Sequence, residues 1–161
     1  MNFDFNTVTT RHCQMAEAVG LTASIIAIAA LAYQSSKTLY ELLDGIRNAP
    51  KTLQGLNEDL SAISHLLKSI KSAMEDSSDD SFSDGVKKCL EEVKPALTGC
   101  GKTCHEFKEK MGKIMSHSDE KHTSKRDRIK LQFEEKDILA FRYRLGSYKA
   151  TLNIALSLAS L

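Results

Sequence analysis

The sequence predicts an all-α fold, an antiparallel bundle of four to five long helices around an apolar N-terminal helix. Only two prolines and eight glycines interrupt the 161 residues, of which 42% are hydrophobic and 27% are charged, as is typical of helical domains. Apolar residues also recur at alternating spacings of three and four in three separate segments, which is the period of one helix face. The chain is long enough to bury one sizeable core, so we expect a single folded domain.

The chain is expected to have two regions. Residues 1–14 show no helical period and are predicted to form an N-terminal extension, whereas residues 15–161 carry the helical patterns of the bundle domain. The last pattern continues to the final residue without a helix stop signal. We therefore expect further domains of the same polypeptide downstream.

The first helix is predicted over residues 16–47, and its segment 18–36 contains no charged residue. This segment is nearly as long as a membrane span, which needs about 20 mostly apolar residues, but glycine, serine, threonine and glutamine dilute it. We expect it to be the central, nearly fully buried helix of a resting bundle, although an apolar helix is also suited to delivery into a bilayer. Its large aliphatic residues are Val19, Leu21, Ile25, Ile26, Ile28 and Leu31.

The second helix is predicted to begin at Asn48-Ala49-Pro50, where Asn48 or a neighbour caps free backbone amides and Pro50 suits the first turn. Residues 76–84, DSSDDSFSD, are expected to end this helix because serine and aspartate side chains compete for backbone hydrogen bonds. Between these limits, one helix face carries Leu53, Leu56, Leu60, Ile63, Leu67, Ile70 and Met74.

The third helix follows this loop and is expected to be kinked or loosened by Pro95, Gly99 and Gly101. Its apolar face carries Val86, Leu90, Val93, Leu97, Cys100, Cys104, Phe107, Met111 and Ile114.

Residues 116–128 are polar throughout and predict a second long loop, with Ile129 and Phe133 in a turn before the last helix. The apolar face of that helix carries Ile138, Phe141, Leu145, Tyr148, Leu152, Ala155 and Ala159.

Signatures of catalysis are missing from the sequence. No segment has the pattern of a phosphate-binding glycine loop, a nucleophile elbow or paired catalytic carboxylates, so we expect no enzyme and no cofactor. The nearest approach to a metal site is Cys100, Cys104 and His105, with His117 and His122 downstream. Because both cysteines lie on the apolar face and lack the short spacing of a zinc clip, we expect buried small hydrophobic side chains and no metal.

Cysteine usage and charge bear on the compartment and the partners. Four cysteines without a paired framework, and no secretory signal at the N-terminus, predict a reducing cytoplasm. Residues 1–80 carry 6 basic and 10 acidic side chains, and residues 81–161 carry 16 and 11. The basic half is either an ordinary solvated face or a surface for anionic lipid, and nucleic acid is not expected. The candidate lipid contacts are Arg126, Arg128, Arg142 and Arg144.

Four stretches carry a resemblance to a known family. They are the opening AEAVGLTASIIAIAALAYQ from Ala16, the Asn48-Ala49-Pro50 turn, the run of Cys100, Cys104 and Phe107, and the tail RDRIKLQFEEKDILAFRYRLGSYKATLNIALSLASL from Arg126. On these residues the chain from 15 to 161 resembles the HeLo-like N-terminal domain of fungal STAND/NLR-like receptors, which precedes nucleotide-binding and repeat regions. It departs from that family at Met115 and Lys125, where members often carry tryptophan.

The resemblance implies an effector domain that triggers regulated cell death or heterokaryon incompatibility. Self-association on activation would expose the N-terminal helix, and the domain would move from the cytoplasm to the plasma membrane and permeabilise it. The six large aliphatic residues of the first helix would then target the membrane, with anionic lipids as partners. The alternative is a homotypic or adaptor signalling bundle that binds partner helices and never enters a bilayer.

Overall fold

The computed structural model describes residues 20–46, 49–116 and 135–160. These residues form four α-helices, which we name α1 (Leu21–Asp44), α2 (Lys51–Glu75), α3 (Asp84–Ser116) and α4 (Glu135–Ala159). A single 3₁₀ turn, Asp79–Ser81, lies between α2 and α3, and the described residues contain no strand. This confirms the predicted all-α fold.

Several predicted features lie outside the described residues. They are the extension 1–14, the beginning of the first helix before Gly20, most of the loop 116–128, and the turn with Ile129 and Phe133. The predicted loop after α2 is confirmed, because α2 ends at Glu75 and α3 begins at Asp84.

Hydrogen bonds at both ends show that α1 and α2 run antiparallel. Near the start of α1, Thr22 donates hydrogen bonds to Asp79, which follows the end of α2. Near the end of α1, Asp44 accepts a hydrogen bond from Asn57 in the first turns of α2. The short connection between the two helices is consistent with this pairing.

Each helix packs mainly on two others. Helix α1 packs on α2 and α3, and α4 packs on the same two helices, so α1 lies across the bundle from α4. Helices α3 and α4 are antiparallel, because Gly99 lies against Tyr148 while Phe107 stacks on Phe141 with ring centroids 4.2 Å apart. The result is a ring of four helices around one core.

The apolar faces predicted for α2, α3 and α4 form the core. Every member of those faces whose side chain is described is buried, except Val86 and Tyr148, which are half-buried. His65, which lies off the α2 face, is exposed. The heptad spacing therefore predicted both the helices and the direction in which they face.

The start of α2 needs correction, and the proline inside α3 does not interrupt that helix. Pro50 occupies the N-cap position of α2 without a side-chain cap, and its carbonyl accepts the backbone N–H groups of Leu53 and Gln54, while Asn48 lies outside the described residues. Helix α3 continues past Pro95, so the residue that was expected to kink or loosen this helix does not end it. Pro95 is exposed on the surface of α3, and it has no N–H group to donate to the backbone carbonyl one turn earlier.

Candidate functional site: helix α1 and its storage contacts

The outer surface of α1 differs from the sequence expectation. The helix was expected to be central and nearly fully buried, but among the described helices it packs mainly on α2 and α3, and one of its faces is exposed. Ile25, Ala29, Ala32 and Leu39 are at most 1% exposed, whereas Leu31 is 70% exposed. Of the six residues predicted to target a membrane, Val19 lies outside the described residues, Ile25 is buried, Leu31 is exposed, and the half-buried members are Leu21, Ile26 and Ile28.

The outward face of α1 is uncharged over its first half. Ala23, Ala27 and Leu31 follow one another at a spacing of four and are all exposed. The first charged residue of the helix is Lys37, which pairs with Glu41 one turn later. The folded bundle therefore displays an apolar strip on α1 although the opposite face of the same helix fills the core.

Beside this strip, a groove of about 340 Å³ runs between α1 and α3. Ile28, Leu31 and Ala32 line it from α1, and Leu97 and Gly101 line it from α3. Thr98, Ser35, Lys102 and His105 complete its rim. The groove gives α1 an apolar edge that is accessible from solvent.

Helix α1 packs closely against α3 at a glycine. A Cβ atom built on Gly101 would lie 3.0 Å from Cα and 3.3 Å from Cβ of Ala32. Ordinary carbon contacts are about 3.5–4.0 Å, so any larger residue at Gly101 must push α1 away from α3. Ala32 is only 1% exposed and Gly101 is half-buried, and both line the groove, so this contact lies at its base.

Asp79 from the loop after α2 holds the beginning of α1. Its Oδ1 accepts hydrogen bonds from the backbone N–H of Thr22, at 2.8 Å, and from the Thr22 hydroxyl, at 2.7 Å. The N-cap residue of α1 is Gly20, which has no side chain to cap the helix, and a Cβ there would overlap the Asp79 carboxylate. Asp79 thus caps a helix that is 57 residues away in sequence.

The same contacts change the titration of Asp79. The hydroxyl hydrogen bond and then the backbone hydrogen bond from Thr22 lower the pKa of the Asp79 carboxyl below its ordinary value of 3.8, because both favour the charged form. The carboxylate is therefore present at any physiological pH. Its negative charge also complements the positive end of the α1 dipole.

A buried hydroxyl pair connects the middle of α1 to α2. Ser36 is fully buried, and its Oγ lies 3.0 Å from the Oγ of Ser64. Ser36 also donates to the backbone carbonyl of Tyr33 at 3.0 Å. Because neither contact involves a charge, this part of α1 can be separated from α2 without leaving an unpaired ion in the core.

The candidate lipid-contacting arginines are in different environments. Arg126 and Arg128 lie outside the described residues. Arg142 is half-buried and donates from Nε to Asp59 Oδ2 at 2.7 Å, and it lies over Gly55, where a Cβ would come within 2.7 Å of its Nη1. Arg144 is exposed, at a groove that it shares with Glu106, Lys110 and Asp137. Arg142 is thus committed to a contact within the bundle, and Arg144 faces outward.

The cysteine face of α3 is part of the core. Cys100 and Cys104 are fully buried, as predicted, and neither forms a disulfide. The hydrogen bond with Cys100, together with burial, raises the pKa of the Cys104 thiol far above its ordinary range. His105 is exposed, and His117 and His122 lie outside the described residues. Within residues 20–46, 49–116 and 135–160, no three potential ligands are grouped to hold a metal ion.

A membrane span was one interpretation of the first helix. None of the helices in the described part of the chain combines the length and the apolarity needed to cross a bilayer.

Two contacts that control α1 were not visible in the sequence. The loop with Asp79 was predicted, but nothing local indicates that one of its carboxylates caps a distant helix. Gly101 was expected only to loosen α3, whereas in the structure it makes room for α1. A glycine on the apolar face of a long helix is the signal that could have indicated this close approach.

Comparison with known proteins gives one match. The chain has no significant match among curated proteins or among solved structures. One protein family, described as "Pigment biosynthesis cluster protein PigL N-terminal", matches residues 16–161, which is nearly the whole chain and includes all four helices. This supports the coarser part of the resemblance, a HeLo-like fungal N-terminal domain. The chain therefore belongs to the family of pigment biosynthesis cluster protein PigL N-terminal domains.

Proposed function

We propose that this domain is the N-terminal effector module of a fungal STAND/NLR-like receptor and triggers regulated cell death or heterokaryon incompatibility. It rests in the cytoplasm, self-associates when the receptor clusters, and is recruited to the plasma membrane, where released α1 inserts among anionic lipids. It performs no catalysis and uses no cofactor. The observation that carries the proposal is the apolar outward strip of α1. The opposite face of this helix is buried, and this burial and a few polar contacts hold the helix in the bundle.

The free energy that holds α1 in the bundle explains why a trigger is needed. Three large side chains, Ile25, Leu39 and Leu43, are at most 3% exposed. Burial of each stabilises the packed state by about 1.5–3 kcal/mol, so these three alone oppose release by roughly 5–9 kcal/mol. Spontaneous release would then occupy fewer than about one molecule in a thousand. Clustering or lipid binding has to supply the difference.

The alternative function is a homotypic or adaptor bundle that binds a partner helix and stays out of the membrane. The groove between α1 and α3 favours it, because Ile28, Leu31 and Leu97 offer an apolar seat beside the charged rim residue Lys102. A partner helix that docks in this groove would contact α1 while α1 remains packed in the bundle. The two functions therefore differ in whether α1 has to leave the bundle.

The test is a charge placed on the outward strip. Leu31→Asp should leave the melting temperature near that of the wild type, because the side chain is 70% exposed. The same aspartate would oppose insertion of α1, because a charged residue costs up to about 2.5–3.5 kcal/mol when it reaches the centre of a bilayer. We therefore expect Leu31→Asp to reduce leakage of a trapped dye from anionic vesicles, and to reduce cell death, while the domain remains folded.

Two control variants make this result interpretable. Leu31→Ala removes apolar area without adding charge and should reduce leakage less, and Ile25→Asp should unfold the domain because it charges the core. If Leu31→Asp is folded and fully active, α1 does not enter the membrane. If the concentrated wild-type domain releases no dye at any lipid composition, the adaptor function replaces the effector.

A further inference from the structure

Helix α4 carries a second apolar surface that the core does not use. Tyr143 is 83% exposed, Ile154 is 61% exposed and Leu139 is 49% exposed. Gly146 and Ala150 lie between them and are exposed as well. All five positions fall on the side of α4 opposite to its buried face, and Leu139 and Ile154 are about 22 Å apart along the axis at 1.5 Å per residue.

The acidic residues of α4, Glu135 and Asp137, lie in its first turn, and along the strip from Leu139 to Ile154 the charged residues of this helix are all cationic. From Ile138 to Ser160 the chain contains three cationic residues, Arg142, Arg144 and Lys149, and no acidic residue. By helical position, Arg144 flanks the strip on one side, and Arg142 and Lys149 flank it on the other. Apolar and aromatic residues bordered by Lys and Arg are the pattern of a helix that lies in a membrane interface, with long cationic side chains reaching toward headgroups.

The bundle as a whole is polarised in the same direction. Helices α3 and α4, which pack on each other, together carry eleven cationic and seven acidic residues, whereas α1 and α2 carry four and five. Three nearby acidic residues do not reverse this difference, because Asp59 pairs with Arg142, and Glu106 and Asp137 share their groove with Lys110 and Arg144. The α3–α4 side is therefore the side that an anionic surface attracts.

We propose that the folded, resting bundle docks on an anionic bilayer through the outward face of α4, with Tyr143, Leu139 and Ile154 in the interface and Arg144 and Lys149 on the headgroups. This inference rests on the proposed membrane function and adds a step that precedes release of α1. Because α1 lies across the bundle from α4, a bundle docked in this way holds α1 on the side away from the bilayer. Docking and release are then separate events.

A second copy of the chain is a less suitable occupant of this surface. Two α4 faces packed on each other would bring the cations of both copies together without an acidic residue from either helix between Ile138 and Ser160. Anionic headgroups compensate the same cations directly. The observed charge thus favours a lipid surface.

The test separates binding from leakage. Tyr143→Ser/Ile154→Ser removes two exposed anchors, and Arg144→Glu/Lys149→Glu reverses the flanking charge. Lys51→Glu/Lys68→Glu is the matched control, since it reverses two exposed cationic residues on α2, away from the α4 strip. Binding is measured by co-sedimentation with phosphatidylcholine vesicles, with and without phosphatidylserine, and folding is monitored by circular dichroism.

We expect both α4 double variants to bind phosphatidylserine vesicles about tenfold more weakly than the wild type, and Lys51→Glu/Lys68→Glu to bind nearly as well as the wild type. If the α4 variants bind like the wild type, this inference is overturned while the function of α1 stands. If the wild type binds through α4 but releases no dye, the docking surface stands and the proposed function fails. If the wild type binds no vesicles, or if the α4 variants change only the oligomeric state measured by light scattering, α4 is not a lipid-docking surface.

Discussion

The contact between Gly101 and Ala32 allows a direct test of how closely α1 packs on α3, through the free energy of unfolding. In an exposed helix position, Gly→Ala stabilises a protein by about 1 kcal/mol, because alanine is the better helix former. At Gly101 the added Cβ would lie 3.0 Å from Cα of Ala32, so α1 and α3 must separate. Overpacking of this kind costs about 1–3 kcal/mol. Gly101→Ala should therefore be neutral or destabilising by up to about 2 kcal/mol.

Gly112 provides the matched control in the same helix. It is exposed, and a Cβ there meets no atom within 4 Å, so Gly112→Ala gains helix propensity without a clash. The two variants should differ by about 1–3 kcal/mol in the free energy of unfolding, measured by urea denaturation with a common m-value. Equal stabilities would refute the tight seating of α1 on α3. Because the clash destabilises the packing of α1 against α3, we also expect the Gly101→Ala domain to cause more dye leakage from vesicles than the Gly112→Ala domain.

Two further predictions concern the cap that Asp79 provides to α1 and the buried cysteines of α3. Asp79→Ala should lower the free energy of unfolding by about 0.5–2 kcal/mol near neutral pH, whereas Asp79→Asn, which keeps an acceptor, should cost less. Since the folded-state pKa of Asp79 lies below 3.8, this contribution is complete above that value and is lost as the pH falls through the folded pKa, so the wild type and Asp79→Ala should converge in strong acid. In a Cys13→Ser background, only the exposed Cys89 should react with a thiol reagent in the native state. Rapid native reaction of Cys100 or Cys104 would mean that the α3 face is not buried as described.

The sequence was most informative where one helix face is apolar and the other polar. In α2, all seven residues of the predicted face are buried, because a heptad pattern fixes both the helix and the direction it faces. In α1, by contrast, apolar residues occur on all sides, so their period carries no direction. The sequence therefore could not show that Ile25 points into the core and Leu31 toward solvent.

Contacts between distant residues were also beyond the sequence. Asp59 and Arg142 are 83 residues apart, and Thr22 and Asp79 are 57 apart, so neither pair shows a local spacing that pattern analysis detects. The same limit applies to the outward face of α4. Tyr143 and Ile154 belong to a second apolar strip that is superimposed on the stronger core pattern of that helix. The second strip on α4 can be recognised only once the packed structure shows which face of the helix is buried.

The central claim, that α1 must leave the bundle to act on membranes, is tested most directly by locking it in place. The Oγ atoms of Ser36 and Ser64 are 3.0 Å apart, so Ser36→Cys/Ser64→Cys brings two thiols within reach of a disulfide between α1 and α2. Cys13→Ser and Cys89→Ser remove competing thiols outside the buried pair. We expect the oxidised domain to release no dye from anionic vesicles and the reduced domain to release it like the wild type; equal leakage from both forms would contradict the account.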